Sequence, residues 1–342
     1  MLSAESSNRV LTTTRFKLVP KVVDTVLRSN VFATRMLEKA QKFSGYSMKF
    51  PFKYTTNNQF EVFDGFDTLS TTAVQTRTNL EFFPSFSGIP VVIALTELAK
   101  NETEEGVLDL MALEMKSTAQ DMADQIGTLF YADGTGTGGK APLGLAAIVD
   151  DGTSVATYGG QARATYTTLK ATKTASGGAL SLAKMATLWN TLSDGTVTPT
   201  IGITDKTTWS LYEQLLTPQE RINKTPTSYK GGLKGSTGYT GLDYKGMPIL
   251  SDQKATSGYL YFLNEDFIAW YGMNIPQSEP VRYKSVDIEG NDYSNVMGLG
   301  FNWIDWVRPI NGLQLVGRIV LGGQLICENP RRQGVLTGIT GV

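Results

Sequence analysis

The sequence predicts an α+β protein whose lobes are interleaved along the chain. Three observations predict it: early runs with apolar residues at every second position, a long central stretch with helical spacing, and a final third rich in β-like segments. Strands that come so late must complete sheets begun earlier, so neither lobe is one continuous piece of sequence.

Residues 20–43 carry apolar side chains at Val22, Val23, Val26, Leu27, Val31, Met36 and Leu37, with Pro20 before them and Gly45 after. The spacing and punctuation predict a helix within an N-terminal arm, 1–45. From Tyr46 the period becomes two: Tyr46, Met48, Phe50, Phe52 and Tyr54 share one strand face, and Pro51 makes it an edge strand. A second alternation, Ile89, Val91, Ile93 and Leu95, follows a polar stretch that holds Asn57-Asn58, Asp64-Gly65 and a threonine-rich segment. The two runs are predicted to pair as a long hairpin, 46–95. Phe60, Phe63, Phe66, Phe82, Phe83 and Phe86 fall within it and need packing partners, in the chain's own core or in another subunit.

The strongest helical pattern spans 96–131. Leu108, Met111, Met115, Ala119, Met122, Ile126 and Leu129 are spaced by 3 or 4, and Asn101 with Glu104 resembles a capping box. About 28 residues at 1.5 Å each make a strut about 42 Å long. Its other face carries Asp109, Glu114, Lys116, Asp121 and Asp124. A Gly-rich exit, 133–140, leads to a mixed α/β lobe over 140–245 with helices at 181–193 and 207–216. Residues 246–342 then read as β-rich, through 247–250, 259–263, 301–304 and 313–327.

Composition excludes several function classes. There are 342 residues and no histidine, which removes the usual general base, the commonest zinc ligand and the Ser-His-Asp triad. The single Cys327 cannot form an intrachain disulfide, which suits a reducing compartment. The first residues lack a basic segment followed by an apolar one, so cytoplasmic synthesis is expected, and no apolar run approaches the ~20 residues of a membrane span. No period of 20–50 residues recurs.

The net charge of −1 hides an asymmetry. Residues 1–53 hold ten Lys/Arg, including Arg9, Arg15, Lys17, Lys21 and Arg28, against three carboxylates, a net +7. The rest is net −8, much of it at Glu97, Glu102, Glu104, Glu105, Asp109, Glu114, Asp121 and Asp124. Such an arm binds nucleic acid, docks on the acidic surface of its own or a neighbouring subunit, or is simply solvated. Its charges are spread out, which favours lying along a surface over gripping phosphates.

No motif carries chemistry. Gly134, Gly136 and Gly139 formally satisfy a dinucleotide fingerprint, but a helix precedes them where a strand is needed and Pro142 follows. Lys140 completes a near phosphate-loop pattern in which Ala141 replaces the magnesium-binding hydroxyl. The segment reads instead as a flexible connection. The carboxylate pairs Asp64/Asp67, Glu104/Glu105 and Asp150/Asp151 are not singled out by any partner. Cys327 has no base to activate it and reads as a buried small hydrophobe. Trp303 and Trp306 read as core, with a cation–π contact to Arg308 as the alternative. No catalytic residue, metal site or cofactor is assigned.

Taken in order, a basic arm, an aromatic hairpin, an acidic-faced long helix, a Gly-rich exit, a mixed lobe and a late β-rich return, the chain resembles the major capsid proteins of tailed bacteriophages, the HK97-like fold. Local phrases are similar too: Leu143-Gly144-Leu145, Tyr244-Lys245-Gly246-Met247-Pro248-Ile249, and Gly322-Gly323-Gln324-Leu325 before Asn329-Pro330-Arg331. The resemblance implies an N-arm at 1–45, an extended E-loop at 46–95, a spine helix of the peripheral domain at 96–139 and an axial domain at 140–245. Residues 246–342 complete both domains. It implies a structural subunit that forms pentamers and hexamers of an icosahedral head around double-stranded DNA, with an encapsulin-like shell around a cargo protein as the alternative. It implies a virion location after assembly in the host cytoplasm, weak non-specific contact with packaged DNA, and scaffolding, portal and decoration proteins as partners. Arg9, Arg15, Lys53, Phe60, Phe63, Arg77, Arg331 and Arg332 are the candidate inter-subunit contacts. Lys53 lies in the hairpin, but no motif identifies a crosslinking partner, so no isopeptide bond is predicted.

Overall fold

The computed structural model describes residues 30–101, 110–216, 242–273, 279–280, 282–286, 292–296, 301–310 and 312–342. Arg9, Arg15 and the rest of the arm to residue 29 lie outside these, as do Leu108, the acidic residues Glu102, Glu104, Glu105 and Asp109, and with Glu104 the capping box.

In chain order the first elements are α1 (Val31–Glu38), β1 (Gln41–Lys42), β2 (Met48–Lys53), β3 (Arg77–Phe82), β4 (Ser85–Ala94), α2 (Leu95–Asn101) and α3 (Leu110–Leu129). Then come α4 (Leu145–Ile148), β5 (Thr157–Tyr158), β6 (Gln161–Ala162), β7 (Thr172–Ala179), α5 (Leu182–Leu192), β8 (Ile201–Thr204) and α6 (Lys206–Leu216). The remainder is β9 (Leu242–Tyr244), β10 (Met247–Ser251), β11 (Leu260–Leu263), β12 (Ile268–Gly272), β13 (Glu279–Pro280), β14 (Arg282–Val286), β15 (Asp292–Val296), β16 (Phe301–Val307), β17 (Gln314–Cys327) and β18 (Gly334–Gly341).

Two six-stranded sheets organise these elements. The first has the order β1-β12-β17-β16-β13, with β4 also on β17. The second runs β7-β18-β11-β8-β10-β9. Each is completed by late strands: β17 pairs with β4 from Gln314↔Ala94 to Gly323↔Ser85, and β18 lies between β7 and β11. The two sheets share a core through β11, which is buried on both faces. Tyr261 and Leu263 join the large cluster with Phe130, Trp270 and Leu325, whereas Leu260 and Phe262 join Met185, Leu188 and Trp189 of α5. Strands buried on both sides read as continuous apolar runs, which is how 259–263 reads.

α3 has 20 residues, about 30 Å at 1.5 Å each. Its stripe of Ala119, Met122 and Ile126 is buried. Asp124, read as part of a solvent-facing acidic surface, instead pairs with Lys254 at 2.7 Å. α1 crosses α3 where Gly127 leaves room: a Cβ there would meet the Asn30 carboxamide at 2.5 Å. α1 is further held by Glu265, which accepts from Arg35 at 2.6 and 2.7 Å and from Lys39 at 3.2 Å. Burial pushes the Glu265 carboxyl up, but the Arg35 and Lys39 contacts outweigh it and hold the group below its usual range.

The hairpin differs from the sequence expectation. The 89–95 run does not pair with the 46–54 run. β2 pairs with β3, Met48 opposite Phe82 and Lys53 opposite Arg77, while β4 crosses into the first sheet. β3 has its own alternation, Thr78, Leu80 and Phe82, and on β4 Val91 joins the large core while Ile93 is buried on the same side, so both strands are satisfied by this switch. Tyr46 is also corrected: it lies outside β2 and is exposed.

Candidate assembly surface

The root of the hairpin is welded to the body by rings. Phe82 packs edge-on against Phe50 at 6.0 Å and against Tyr158 at 5.2 Å, Phe50 against Tyr271 at 5.5 Å, and Phe52 and Tyr54 against Tyr166 at 5.7 and 5.0 Å. β3 rests on the β5–β6 turn. Gly159 there has φ +55°, and a Cβ on it would meet Leu80 and Phe82 at 2.9 Å. Its carbonyl accepts from the Glu81 N–H at 2.9 Å, and Gln161 Nε2 donates to the Asn79 carbonyl at 3.0 Å.

Tyr158 ties this turn to β17. Its hydroxyl donates to the Cys327 carbonyl at 3.0 Å and accepts from the Cys327 N–H at 2.8 Å. Beneath it lies a buried charge network. The Arg163 guanidinium, 5.2 Å from the Tyr158 ring centre, donates to the carbonyls of Leu169, Val155, Ala147 and Ile148 at 2.7–3.1 Å. Asp150 lies 3.6 Å from it and accepts from Lys173 at 2.9 Å and from the N–H groups of Gly152, Ser154 and Val155. Burial opposes ionisation of Asp150, yet the Val155 N–H, Lys173 and Gly152 hold its carboxyl below the usual range.

Beyond the Tyr54 N–H to Thr76 carbonyl bond, at 3.1 Å, the ladder stops. The tip is held by local turns: Asp67 N–H donates to the Asp64 carbonyl, Asp64 N–H to the Asp67 carboxylate, and Ser70 N–H to Glu61. Its apolar groups have no cover: Phe60 is 88% exposed, Val62 88%, Phe63 61% and Phe66 103%. A second uncovered apolar surface is the side of the first sheet turned away from the core, where Phe86, Val92, Ile304 and Val307 are exposed. Apolar groups exposed in this way make both surfaces candidates for an interaction site.

Of the candidate contact residues, Phe60 and Phe63 sit on the tip, and Lys53 and Arg77 face each other, exposed, at the outer end of the β2–β3 ladder. Arg331 is exposed on the far side of the molecule's sequence, after β17. Arg332 is engaged within the chain, donating to the Leu192 carbonyl at 3.2 Å and to Asp194 at 2.7 Å. Sequence reasoning named Phe86 only as one of the hairpin's rings and missed the exposed sheet face it shares with Val92, Ile304 and Val307, since these come from two strands far apart in the chain.

The candidates for chemistry fall to structural roles. Asp150 belongs to the buried network, and Asp64 and Asp67 shape the tip turn. Glu104 and Glu105 lie outside the described residues. The 134–140 segment is an ordered turn with Gly134, Thr137, Gly138 and Gly139 at positive φ, and Thr135 donates to Asp133 from its N–H and its hydroxyl. α3, a helix, precedes it. Cys327 is fully buried, and burial pushes its thiol up to about 12. Trp303 is buried and packs edge-on with Trp306 at 5.3 Å, covering Gly317, while Arg308 is exposed. Among the described residues no group of His, Cys, Asp and Glu side chains is arranged to hold a metal ion, and no helix is long and apolar enough to cross a membrane.

No family model matches the sequence, and no curated protein matches it. Solved structures do match, over nearly the whole chain. The cyanophage A-1(L) capsid asymmetric unit superposes with a TM-score of 0.74 at 16% identity, covering 97% of this chain and 99% of that one. The capsid of a native GTA particle gives a TM-score of 0.62 at 10% identity, covering 99% and 100%. The SrpI encapsulin of Synechococcus elongatus PCC 7942 gives 0.60 at 11% identity, covering 99% and 96%.

Proposed function

We propose that this chain, which has the HK97-like capsid fold, is the major capsid subunit of a tailed bacteriophage, assembling as pentamers and hexamers into an icosahedral head around double-stranded DNA. The observation that carries the reading is the union of that full-length fold with a hairpin whose root is rigidly packed and whose tip is apolar and uncovered. A shell of identical subunits closes around rings of five and of six. An arm that reaches over a neighbour tolerates the change of curvature better than a flat patch would.

In this reading residues 1–45 are the N-arm and 46–95 the E-loop, with the overlap made by the tip from Tyr54 to Thr76. α3 and the first sheet form the peripheral domain, within 96–139 and the late return. The second sheet with α5 and α6 forms the axial domain, within 140–245 plus β10, β11 and β18. The subunit's role is structural, with no catalysis of its own. Its partners are copies of itself, with scaffolding, portal and decoration proteins, and its place is the virion after assembly in the host cytoplasm. A near-neutral net charge of −1 suits a container whose DNA must be packed and released, since strong phosphate binding would oppose both.

The test is electron microscopy and size-exclusion chromatography of the protein alone and coexpressed with a scaffolding partner, against a variant whose residues 57–74 are replaced by a short Gly-Ser linker. Rings or shells from the parent and a soluble, folded, non-assembling variant are expected. Normal shells from the variant overturn the role of the tip, and a parent that stays monomeric in every condition overturns the reading itself. The likeness to an encapsulin favours one second reading, a shell around a cargo protein. Purified particles containing protein cargo and no DNA would establish it in place of the first.

A further inference from the structure

We infer that Asp64-Gly65, in the hairpin tip, is a site of self-modification, where the main-chain nitrogen of Gly65 closes on the Asp64 carboxyl and the ring reopens as isoaspartate. The inference concerns the single chain and stands whether or not shells form.

Residue types allow the reaction, and geometry selects the place. An amide nitrogen reaches the preceding aspartyl carboxyl most readily when its own residue is glycine, which has no side chain to shield it. The sequence has four such pairs, Asp64-Gly65, Asp133-Gly134, Asp151-Gly152 and Asp194-Gly195. In three of them the carboxylate is drawn elsewhere. Asp133 accepts from the N–H and hydroxyl of Thr135 at 2.9 and 2.7 Å, Asp151 from those of Thr153 at 3.0 and 2.6 Å, and Asp194 from Arg332 at 2.7 Å. Asp64 instead holds its carboxylate on the nitrogen of the glycine that follows: the Gly65 N–H donates to Oδ1 at 2.7 Å. The carboxyl carbon is one bond beyond that oxygen, close to the ~3–3.5 Å separation of a near-attack arrangement. Exposure does not make the distinction, since Asp133 and Asp194 are exposed as well.

The turn fixes this pose. The Asp64 N–H donates to Asp67 Oδ2 at 3.0 Å and the Asp67 N–H to the Asp64 carbonyl at 2.9 Å, so both main-chain groups of Asp64 are pinned while its carboxylate lies over Gly65. A Cβ on Gly65 would meet nothing within 4 Å, so a ring can form there without displacing a neighbour, and water has access to it. The chemistry balances with water and protons alone. The Gly65 nitrogen bonds to Asp64 Cγ, and one carboxyl oxygen leaves as water with the amide proton and a proton from solvent, closing a succinimide. A second water then breaks the bond between the Gly65 nitrogen and the former main-chain carbonyl carbon, which becomes a free carboxylate and returns a proton to solvent. The chain now runs through Cβ and Cγ, one atom longer between Phe63 and Phe66, and the Asp67 N–H loses the carbonyl it was bonded to. The turn that presents the two rings is re-spaced, and the share of chains so altered records their age.

The test ages the full-length protein in solution, kept dilute so that no particles form, and locates isoaspartate by peptide mapping with electron-transfer fragmentation. A parallel sample is held unfolded in urea. In the native protein isoaspartate at residue 64 is expected to exceed that at residues 133, 151 and 194 several-fold. In urea, where the engaged carboxylates are released, the four sites are expected to converge. Asn311-Gly312 reports separately, because its deamidation changes the mass. Gly65→Val puts a branched side chain beside the nucleophile at a position with open space and a φ outside the left-handed region, so the turn is kept. It is expected to lose the signal at residue 64 and leave the other sites unchanged. No excess at residue 64 in the native protein, an excess that persists undiminished in urea, or an undiminished signal in Gly65→Val each overturns the inference.

Discussion

Asp150→Asn tests the charge network beneath the hairpin root. In the wild type the side chains of Asp150 and Arg163 are both fully excluded from solvent, and Asp150 is the anion that balances Arg163 and Lys173. The amide keeps the shape and one acceptor for the Gly152, Ser154 and Val155 N–H groups, but it leaves the guanidinium in its cage of carbonyls without a counter-charge. Removing one partner of a buried pair costs about 3–5 kcal/mol, against a domain stability of about 5–15 kcal/mol. Arg163 lies under Tyr158, and Tyr158 under Phe82, so the loss is expected to loosen the hairpin root as well. Urea denaturation at pH 7 should show a lower midpoint, and limited proteolysis should cut the 46–84 region faster. Asp150→Asn/Arg163→Met, which removes both charges, should recover part of the loss, because the cost lies in the unbalanced charge. A single variant within 1 kcal/mol of wild type, or a double variant no better than the single, would refute the network as a coupled unit.

Phe60→Ser/Phe63→Ser/Phe66→Ser leaves monomer stability nearly unchanged, since all three rings are exposed. It removes the equivalent of about two and a half phenylalanines from the tip contact, about 4–8 kcal/mol if wholly buried there, and so raises the concentration needed for assembly ~1,000-fold or more in sedimentation. Tyr158→Phe strands the Cys327 N–H and carbonyl and costs about 2–4 kcal/mol in thermal or urea unfolding. Acid titration of stability should show a loss carried by Asp150 and Glu265, whose folded-state carboxyls lie below the ordinary 3.8 and 4.5. Their contribution is present above those values and disappears as the pH falls through the depressed ones. Asp252 opposes them, because burial raises its carboxyl, so acid relieves its cost, and Glu265→Gln should flatten the loss while releasing α1 at neutral pH. Cys327 should resist alkylation in the native protein at pH 8 and react on denaturation, as read by mass spectrometry.

Patterns that report burial on one side of an element were legible in the sequence. Met48, Phe50 and Phe52 alternate with Lys49, Pro51 and Lys53 because β2 buries one face, and Ala119, Met122 and Ile126 are spaced for a helix because α3 buries one stripe. The identity of a strand's neighbour was not legible. Ile89, Val91 and Ile93 state that β4 is a strand, but its partner, β17, lies more than 220 residues away. Nothing local distinguishes it from β2, and the true partner of β2, around Leu80, was masked by its threonine-rich approach. Buried polar groups were the other blind spot. Arg163 reads as an ordinary surface cation, because the carbonyls that hold it belong to backbone and leave no trace in residue types. The same is true of Gln333, whose side chain accepts from the Asn264 N–H at 2.8 Å and donates to the Asn264 carbonyl at 3.1 Å. For the candidate assembly surface, the aromatic tip was legible as a group of rings in need of a partner, while the exposed sheet face emerges only when β4, β16 and β17 lie side by side.

The interleaving of late strands has a consequence for biosynthesis. β17 and β18 hold interior positions in the two sheets and lie within residues 314–341, so neither sheet can close until those strands have left the ribosome. At ~5–20 residues per second, the 220 residues from Ala94 to Gln314 take about 11–44 s to synthesise, and for all of that time β4 lacks its neighbour in the first sheet. The β2–β3 ladder can form within that interval, whereas β4 must wait with its backbone groups unpaired, so the order of folding follows the order of synthesis only for the local pair.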